Sequence, residues 1–384
     1  MASNGLTPNL ERSVPGARLE RIPVFDLIRW RDPISQARLL PIVTARTPAG
    51  VPICGALRIE GTALGYPIVD CVARLTPELA HRYRPWLSQL GLSPPSADPS
   101  GNVYQVESTV ESFGWQWTWN NQMRSEADLR MRVAEKFGIA PQYFAGKLVA
   151  DMGAGAGDQS SYLLRQGAAV ISVDLSSAIE VVSAKLRMHS AWFGVQGDIT
   201  ILPMEAEQFD CVYCEGVIQH TRDSRLAVRE LTRVVRTGGD VLAAHYLRTE
   251  PTSAWGWAKR KVSLRVYELA RSRLSRLERF KLLLVTGNLA ALSYVPLLGS
   301  LIRKTALAIY YDLMPDFKTT WTNTFDYYGN HMYQRFLSAE DFSALFKAIP
   351  HMTIVFEKSG NIRALKSRHV DSKSEINPKP AGTG

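Results

Sequence analysis

Cysteine is scarce in this sequence, with four residues in 384. So few thiols argue against a disulfide framework, and the polar N-terminal stretch shows no signal-peptide pattern. We therefore expect a reducing, cytoplasmic compartment. There is also no internal repeat and no low-complexity array. Charged residues make up 21% of the chain and hydrophobic residues 46%, so the chain can bury a full-sized core with material left for a second module.

Negative charge is in deficit, and the formal net charge is +9. Lysines and arginines are spread widely, with their densest run at Lys259 to Lys281. This balance favours an anionic acceptor, nucleic acid or an acidic membrane surface, and it fits equally well a basic helix face that is simply solvated.

Composition and patterning divide the chain into successive segments. These are a disordered tail (1–21), a small β-rich module (22–91), a linker rich in Pro and Ser (92–102), a large α/β domain (103–365) and a second disordered tail (366–384). Within the α/β domain, strand-like and helix-like patterns alternate, which is typical of a parallel sheet built from βαβ units.

A glycine-rich turn lies at the head of this α/β pattern. Residues 148–152 form a short apolar strand that runs into Gly153, Gly155 and Gly157, and an amphipathic helix is expected over 158–166. Glycines between a strand and a helix let a ligand approach the backbone closely, because no Cβ intervenes and positive φ costs little. This spacing predicts a ligand site.

Acidic residues flank the glycine turn. Asp151 precedes it and would repel a pyrophosphate, so an uncharged thioether with an amino acid moiety fits better than a dinucleotide. Asp174 ends the second strand, where its carboxylate can accept two hydrogen bonds from a ribose diol.

Four segments in order, at 149–158, 170–176, 195–199 and 209–221, resemble the signature motifs of class I methyltransferases of the ubiquinone-biosynthesis type, which use S-adenosylmethionine (SAM). The resemblance covers about 100 residues. It implies a Rossmann-like, doubly wound α/β fold with a seven-stranded sheet and a fifth strand over 240–246 after a Gly-Gly turn. The helix-like pattern that follows this strand predicts a helical insertion at about 253–325. It also implies that the protein is a SAM-dependent methyltransferase.

The resemblance assigns roles to the cofactor-binding residues. Asp151 corresponds to the residue that holds the methionine end of SAM, and Gly153, Gly155 and Gly157 to the turn beneath it. Asp174 corresponds to the ribose binder. Asp198 corresponds to the acceptor for the adenine amino group, and Ile199 would pack on the adenine ring.

Residues 215–221 resemble the family's Val-Leu-His-His segment beside the transferred methyl group, with Gln219 in place of the first histidine. His220 is therefore a candidate base or acceptor-orienting group, although a packing role at a helix start is an equal alternative. Trp115 and Trp117 lie in a Phe-Gly-Trp-Gln-Trp segment that resembles a lead-in folding over the cofactor cleft, or they pack against the sheet. Asp326, Tyr328 and His331 lie where substrate contacts occur in the family.

We expect no metal in this chain. Cys211 and Cys214 lie in an apolar strand, where an odd spacing directs the two thiols to opposite faces, so they are predicted to be core residues. The N-terminal module resembles a zinc ribbon found with methyltransferases, but Asp32 and Ser35 occupy positions where that ribbon has ligand cysteines. An unrelated β-rich module is an alternative.

Residues 282–302 contain no charge and are bracketed by Arg279, Lys281, Arg303 and Lys304. Because Pro296 and two glycines interrupt the run, we expect two helices broken near Pro296. They form a helical cap over the acceptor site or a peripheral membrane contact, and a transmembrane span is less favoured.

Three functions remain open at this stage. The favoured one is methyl transfer to a small-molecule, glycan or lipid-intermediate acceptor. An RNA methyltransferase is the second, although the sequence has no recognisable RNA-binding motif, and nucleic acid is not the expected partner. The third is a non-catalytic partner protein on the same fold.

Overall fold

The fold is organised around a sheet of eleven strands in a computed structural model, which describes residues 22–96, 114, 124–245, 265, 268–274, 277–302, 317–328 and 336–368. The strands are β1 (Leu39–Arg46), β2 (Pro52–Ile59), β3 (Gly65–Val69), β4 (Val72–Arg74), β5 (Leu148–Met152), β6 (Ala169–Asp174), β7 (Trp192–Gln196), β8 (Phe209–Glu215), β9 (Val235–Ala244), β10 (Met352–Lys358) and β11 (Asn361–Lys366). Their order across the sheet is β1-β2-β3-β4-β7-β6-β5-β8-β9-β11-β10.

The strands β7, β6, β5, β8 and β9 run parallel, and β11 returns antiparallel to β9. Parallel strands with helices on both faces are mostly apolar, and β5 and β7 are buried at every residue, with Asp151 and Gln196 as their polar positions. The order reverses between β5 and β8, which creates a crevice at the carboxyl ends of these two strands. The predicted doubly wound α/β architecture is confirmed.

The α/β domain contributes seven strands, β5 to β11, as predicted for it, and the N-terminal module adds its own four strands to the same sheet. Its last strand, β4, pairs in parallel with β7 through Val72 opposite Gly194 and Arg74 opposite Gln196. The buried Arg74 guanidinium contacts Glu180 and the Gln196 side chain. At three residues, β4 is too short to be recognised from its pattern.

The helices lie between these strands and in the C-terminal third. They are α1 (Val24–Leu27), α2 (Pro77–Arg82), α3 (Arg84–Gln89), α4 (Glu126–Val133), α5 (Asp158–Arg165), α6 (Ala178–Leu186), α7 (Ser224–Val234), α8 (Arg279–Leu292), α9 (Leu298–Ile302), α10 (Phe317–Tyr328) and α11 (Ala339–Lys347). Short 3₁₀ turns occupy Glu135–Phe137, Pro141–Phe144 and Ile218–His220. The helix predicted over 158–166 is present and ends one residue earlier.

Several predicted boundaries need correction. The fifth strand of the parallel order, β9, begins at Val235 and ends at Ala244, so the Gly-Gly turn expected before it lies inside the strand, where the pairing with β8 shifts register. The C-terminal tail was predicted to start at 366, but Lys366 pairs with Met352 in β11. The predicted tail over 1–21 lies outside the described residues.

The predicted linker begins as packed structure rather than as a free connection. Leu92 is buried, and Ser93 forms an isolated bridge with Leu64 of the N-terminal module. The first residues of the segment 92–102 therefore pack on that module, and residues from 97 lie outside the part of the chain that is described.

Two helices break near Pro296, as predicted, since α8 ends at Leu292 and α9 begins at Leu298. Helix α8 packs against α10 around Leu282, Phe325 and Tyr328, a cluster separate from the main core beneath the sheet. Among the described residues, none of the helices has both the length and the apolar character needed to cross a bilayer.

Candidate active site

The glycine turn closes directly over the end of β5. Gly153, Gly155 and Gly157 all have positive φ, at 83°, 52° and 82°. The Gly153 N–H donates to the Val173 carbonyl at 2.7 Å, which ties the turn to β6. A Cβ on Gly153 would lie 2.1 Å from a methyl of Val217. Glycine is therefore required here both by the backbone conformation and by space.

Asp174 fastens the turn to the end of β6. Its Oδ2 accepts a hydrogen bond from the Gly155 N–H at 2.9 Å, and its Oδ1 accepts from the Ser176 N–H at 2.8 Å and from the Ser176 hydroxyl at 2.6 Å. Burial raises the pKa of Asp174 above its ordinary value. A carboxylate offers about four acceptor positions, and three are used within the described part of the chain, so acceptor capacity remains for a ligand hydroxyl; the predicted ribose contact stays a prediction.

Asp151 lies buried beneath the turn, at the carboxyl end of β5. The Ser160 hydroxyl donates to it at 2.5 Å and also contacts the Ser172 hydroxyl, which accepts from the Trp192 indole N–H. Burial raises the pKa of Asp151 to about 7. A cation placed beside this carboxyl would favour its ionised form, so the position suits a ligand ammonium group.

Asp198 and Ile199 lie just beyond the end of β7, next to Asp174 across the sheet edge, because Asp174 pairs with Gln196. The Asp198 Oδ1 accepts from the Thr200 N–H at 2.7 Å and the Thr200 hydroxyl at 2.8 Å. Burial raises the pKa of Asp198. Within the described part of the chain, its Oδ2 has no hydrogen-bond partner, which leaves an acceptor for an amino group beside the buried Ile199.

Sequence reasoning missed Glu215, which ends β8 across the crevice from Asp151. It contacts Lys136 and Arg132, and the Tyr213 hydroxyl donates to it at 2.6 Å. Burial opposes its ionisation, but Lys136 and Arg132 hold the pKa of Glu215 at about 2. Glu215 thus anchors the segment around α4 to the site. The sequence signal that could have identified Glu215 is its position as an acidic residue at the carboxyl end of a parallel strand, as in β5 and β6.

The segment after β8 places Gln219 and His220 in a 3₁₀ turn beside the glycine turn, since Val217 lies against Gly153. Gln219 is fully buried, and neither its amide oxygen nor its amide nitrogen has a hydrogen-bond partner among the described residues. His220 is partly exposed, and its backbone N–H donates to the Val217 carbonyl at 2.8 Å. The role of His220 as a base stays a prediction.

Of the predicted acceptor-site residues, only Tyr328 has a described side chain. Tyr328 is buried in the cluster between α8 and α10 with Leu282 and Phe325. Asp326 lies in α10, but its side chain is outside the described structure, as are Trp115, Trp117 and His331 altogether. These residues are therefore not brought together with the cofactor edge by anything that is described.

Cys211 and Cys214 are free and fully buried in β8, as predicted for core residues. Asp32 accepts hydrogen bonds from the Ser35 N–H at 2.8 Å, the Ser35 hydroxyl at 2.5 Å and the Tyr66 hydroxyl at 2.7 Å. The turn over 32–35 is thus closed by hydrogen bonds. In the described ranges, no group of three or more His, Cys, Asp or Glu side chains could hold a metal ion.

This donor and acceptor set fits SAM. The glycine turn leaves backbone space, the buried Asp151 suits the ammonium group, Asp174 keeps one acceptor for a ribose hydroxyl, and Asp198 keeps one for an amino group. Each of these carboxylates is already held by protein donors and keeps further acceptor capacity for a ligand.

Comparison with known proteins agrees with this assignment of the site. Residues 150–243 match the family model described as a methyltransferase domain. The chain carries a SAM-dependent methyltransferase domain. Its predicted cofactor is confirmed by the same match, which covers β5 to β9 and includes Asp151, the glycine turn, Asp174 and Asp198.

The methyltransferase domain is similar to proteins with named reactions. A demethylmenaquinone methyltransferase of Clavibacter sepedonicus is 29% identical over 152 residues, which are 39% of this chain and 61% of that protein. A ubiquinone biosynthesis O-methyltransferase of Pseudomonas putida is 34% identical over 103 residues, 25% of this chain and 43% of that protein. The chain therefore spans about six tenths or less of the length of these relatives.

Among solved structures, a putative SAM-dependent methyltransferase from Methanococcus maripaludis is 17% identical, with a TM-score of 0.34. The similarity covers 64% of this chain and 88% of that one.

Proposed function

We propose that the protein transfers the methyl group of SAM to a small-molecule, glycan or lipid-intermediate acceptor. The observation that carries this proposal is the row of carboxylates along the carboxyl edge of β5, β6 and β7. Asp151, Asp174 and Asp198 are each held by side-chain or backbone donors, and each is proposed to contact a different part of one bound cofactor.

Bound SAM would supply an electrophilic methyl group on a sulfonium. The chain's own residues then bind and orient the reactants, and much of the rate acceleration comes from placing the acceptor in line with the methyl group. His220 is proposed to orient the acceptor or to take its proton, because it follows β8 next to the glycine turn. Gln219 is proposed to supply a neutral donor and acceptor pair beside it, since its buried amide is unpaired among the described residues.

The proposed acceptor class rests on the relatives. The similar proteins are named for demethylmenaquinone and ubiquinone biosynthesis, so a lipid intermediate with an oxygen or carbon nucleophile is a fitting candidate. The acceptor contacts proposed for Trp115, Trp117, Asp326, Tyr328 and His331 follow from the family resemblance alone.

We also propose that the N-terminal module is a ribbon-like fold that has exchanged a metal for hydrogen bonds. The Asp32 carboxylate joins Ser35 and Tyr66, which gives the turn a cross-link without zinc. Its contribution would be structural, through the pairing of β4 with β7.

The test of the cofactor proposal is calorimetric titration of the full chain with S-adenosylhomocysteine. Asp174→Ala should weaken binding by about tenfold to a hundredfold, because hydrogen bonds to charged groups contribute about 1.5–3 kcal/mol each. Asp210→Ala is the matched control. Its carboxylate also accepts from a backbone N–H, that of Leu148 at 2.7 Å, but at the amino end of β8.

Equal losses in the two variants would mean that Asp174 only supports the fold. Failure of the folded wild type to bind S-adenosylhomocysteine would overturn the enzyme proposal and leave a non-catalytic partner protein on a methyltransferase fold.

A further inference from the structure

Helix α8 is rich in apolar residues, with Arg279, Lys281, Thr286 and Asn288 as its polar positions, and it buries one side. Leu282, Thr286 and Ala290 form the buried face, one helical turn apart. On the opposite face, Phe280 is 70% exposed and Leu284 is 53% exposed. Lys281 and Asn288 are also exposed, so the outer face mixes a few polar side chains with large apolar ones, whereas an ordinary surface helix keeps mainly polar residues there.

The packing of α8 explains why one side stays uncovered. Helix α10 lies against the buried face, where the Trp321 indole N–H donates to the Leu283 carbonyl at 3.0 Å and its ring would lie 3.0 Å from a Cβ at Gly287. Phe325 closes the cluster from the same side. The packing of α10 therefore buries none of the side chains on the outer face of α8.

The exposed apolar surface continues past the end of α8. Leu297, in the turn before α9, is 90% exposed, and its neighbours Val295 and Leu298 are 44% and 41% exposed. We call this surface the apolar face, made up of Phe280, Leu284, Leu292, Tyr294, Val295, Leu297 and Leu298. Apolar residues in such density at a surface indicate an interaction site.

Charge identifies the partner of the apolar face. Residues 255–304 contain eleven lysines and arginines and two glutamates, an excess of nine that equals the net charge of the entire chain. The remainder of the protein is formally neutral. Lys281, next to the apolar face, has its side chain 63% exposed despite pairing with Glu278.

We infer that the apolar face docks on an anionic membrane surface, with its leucines and Phe280 among the acyl chains and with Lys281 and the basic residues that flank the face in the sequence at the headgroups. A basic segment flanking exposed apolar side chains is the pattern of an interfacial helix. A protein partner would explain the apolar residues but not the confinement of all excess positive charge to the same fifty residues. The inference goes beyond methyl transfer and does not depend on it.

The test is co-sedimentation of the purified full chain with vesicles of phosphatidylcholine alone and of phosphatidylcholine mixed with phosphatidylglycerol. We expect binding to the anionic vesicles that falls as salt is raised. Leu297→Gln combined with Leu298→Gln should reduce partitioning by about tenfold or more, since two leucines lose their transfer to the acyl region. Lys281→Gln should reduce it about fivefold.

Met188→Gln is the matched control, because Met188 is 63% exposed at the end of the α6 region, away from the apolar face. Its binding should equal that of the wild type.

The inference is overturned if the wild type does not sediment with anionic vesicles, or if the double leucine variant binds as well as Met188→Gln. It is also overturned if light scattering shows a dimer that the double leucine variant dissociates, since the apolar face would then be an interface between copies. Titration with S-adenosylhomocysteine in the same samples reports the cofactor site separately.

Discussion

Two regions of this molecule depart from the usual distribution of polar and apolar side chains, in opposite ways. At the carboxyl edge of β5 to β8, the Asp151 carboxylate is buried and the Glu215 side chain is only 14% exposed, and neighbouring hydroxyls or cations hold both. In the helix pair of α8 and α10, leucines and a phenylalanine stand in solvent. Each departure is costly unless a ligand or surface completes the region.

The difference indicates which kind of partner would bind each region. Buried carboxylates call for a small ligand that supplies donors and positive charge, whereas an exposed apolar face with cations nearby calls for an extended, anionic and apolar surface. The first region is rigidly built on strand ends, and the second is a helix pair with its own small cluster. Variants that act on one region and spare the other test this separation.

The largest effect is expected from Gly153→Ala. The new Cβ would collide with Val217, and alanine is strained at φ 83°, so we expect the free energy of unfolding to fall by about 2–4 kcal/mol. Binding of S-adenosylhomocysteine should be lost to calorimetry, while vesicle binding by the folded protein is retained.

Gly61→Ala separates the effect of backbone strain from the effect of the steric collision with Val217. Gly61 also has positive φ, at 76°, but nothing lies within 4 Å of a Cβ built there. Urea unfolding should show a loss of roughly 1–2 kcal/mol with unchanged cofactor affinity. If both alanine variants behave alike, the contact with Val217 is not what makes glycine necessary at the turn.

A smaller effect concerns pH. Because the pKa of Asp151 is raised to about 7 by burial, the folded chain holds a proton there that the unfolded chain releases near pH 4. The unfolding free energy should therefore fall as pH rises from about 4 to about 7. A ligand ammonium group favours the carboxylate, so affinity for S-adenosylhomocysteine should rise up to about tenfold per pH unit below pH 7.

Calorimetry in buffers of different ionisation enthalpy measures the proton released on binding. Asp151→Asn should abolish that release, whereas Glu60→Gln, at an exposed carboxylate in the turn between β2 and β3, should preserve it. Proton release that persists in Asp151→Asn would assign the titration to another group.

The smallest effect, and one of opposite sign, is expected from Gln219→Leu. The substitution removes two buried polar atoms that lack partners among the described residues, so stability should rise by about 1 kcal/mol in urea unfolding. Gln196→Leu is the contrasting variant, since Gln196 accepts from Arg74 at 2.8 Å and donates to the Leu175 carbonyl at 3.2 Å, and its loss should destabilise. A loss of stability in Gln219→Leu would show that its amide is satisfied in solution.

Local signals made the cofactor edge predictable. The apolar run before Asp151, the glycine spacing and the strand ending in Asp174 each follow from backbone sterics and strand length, and β5 has the predicted bounds. The role of Glu215 was not predicted because it depends on Lys136 and Arg132, which come close to Glu215 only in the folded chain.

Long-range pairing accounts for the other errors. The three-residue strand β4 has no pattern of its own and exists because β7 offers it partners. Likewise, β9 extends back to Val235 because β8 pairs with it across a register shift. Gln219 was identified as a departure from the family segment, but only the fold shows that its amide is buried.

The pairing of β4 with β7 has a consequence for how the protein can be made and divided. Without residues 39–74, the N–H and C=O groups along one side of Trp192–Gln196 would form a bare, apolar strand border, open to pairing with a second molecule. A fragment that begins after the N-terminal module should therefore aggregate instead of yielding a smaller enzyme. During synthesis the hazard is avoided by order, because the segment that covers this border leaves the ribosome before the strand it protects.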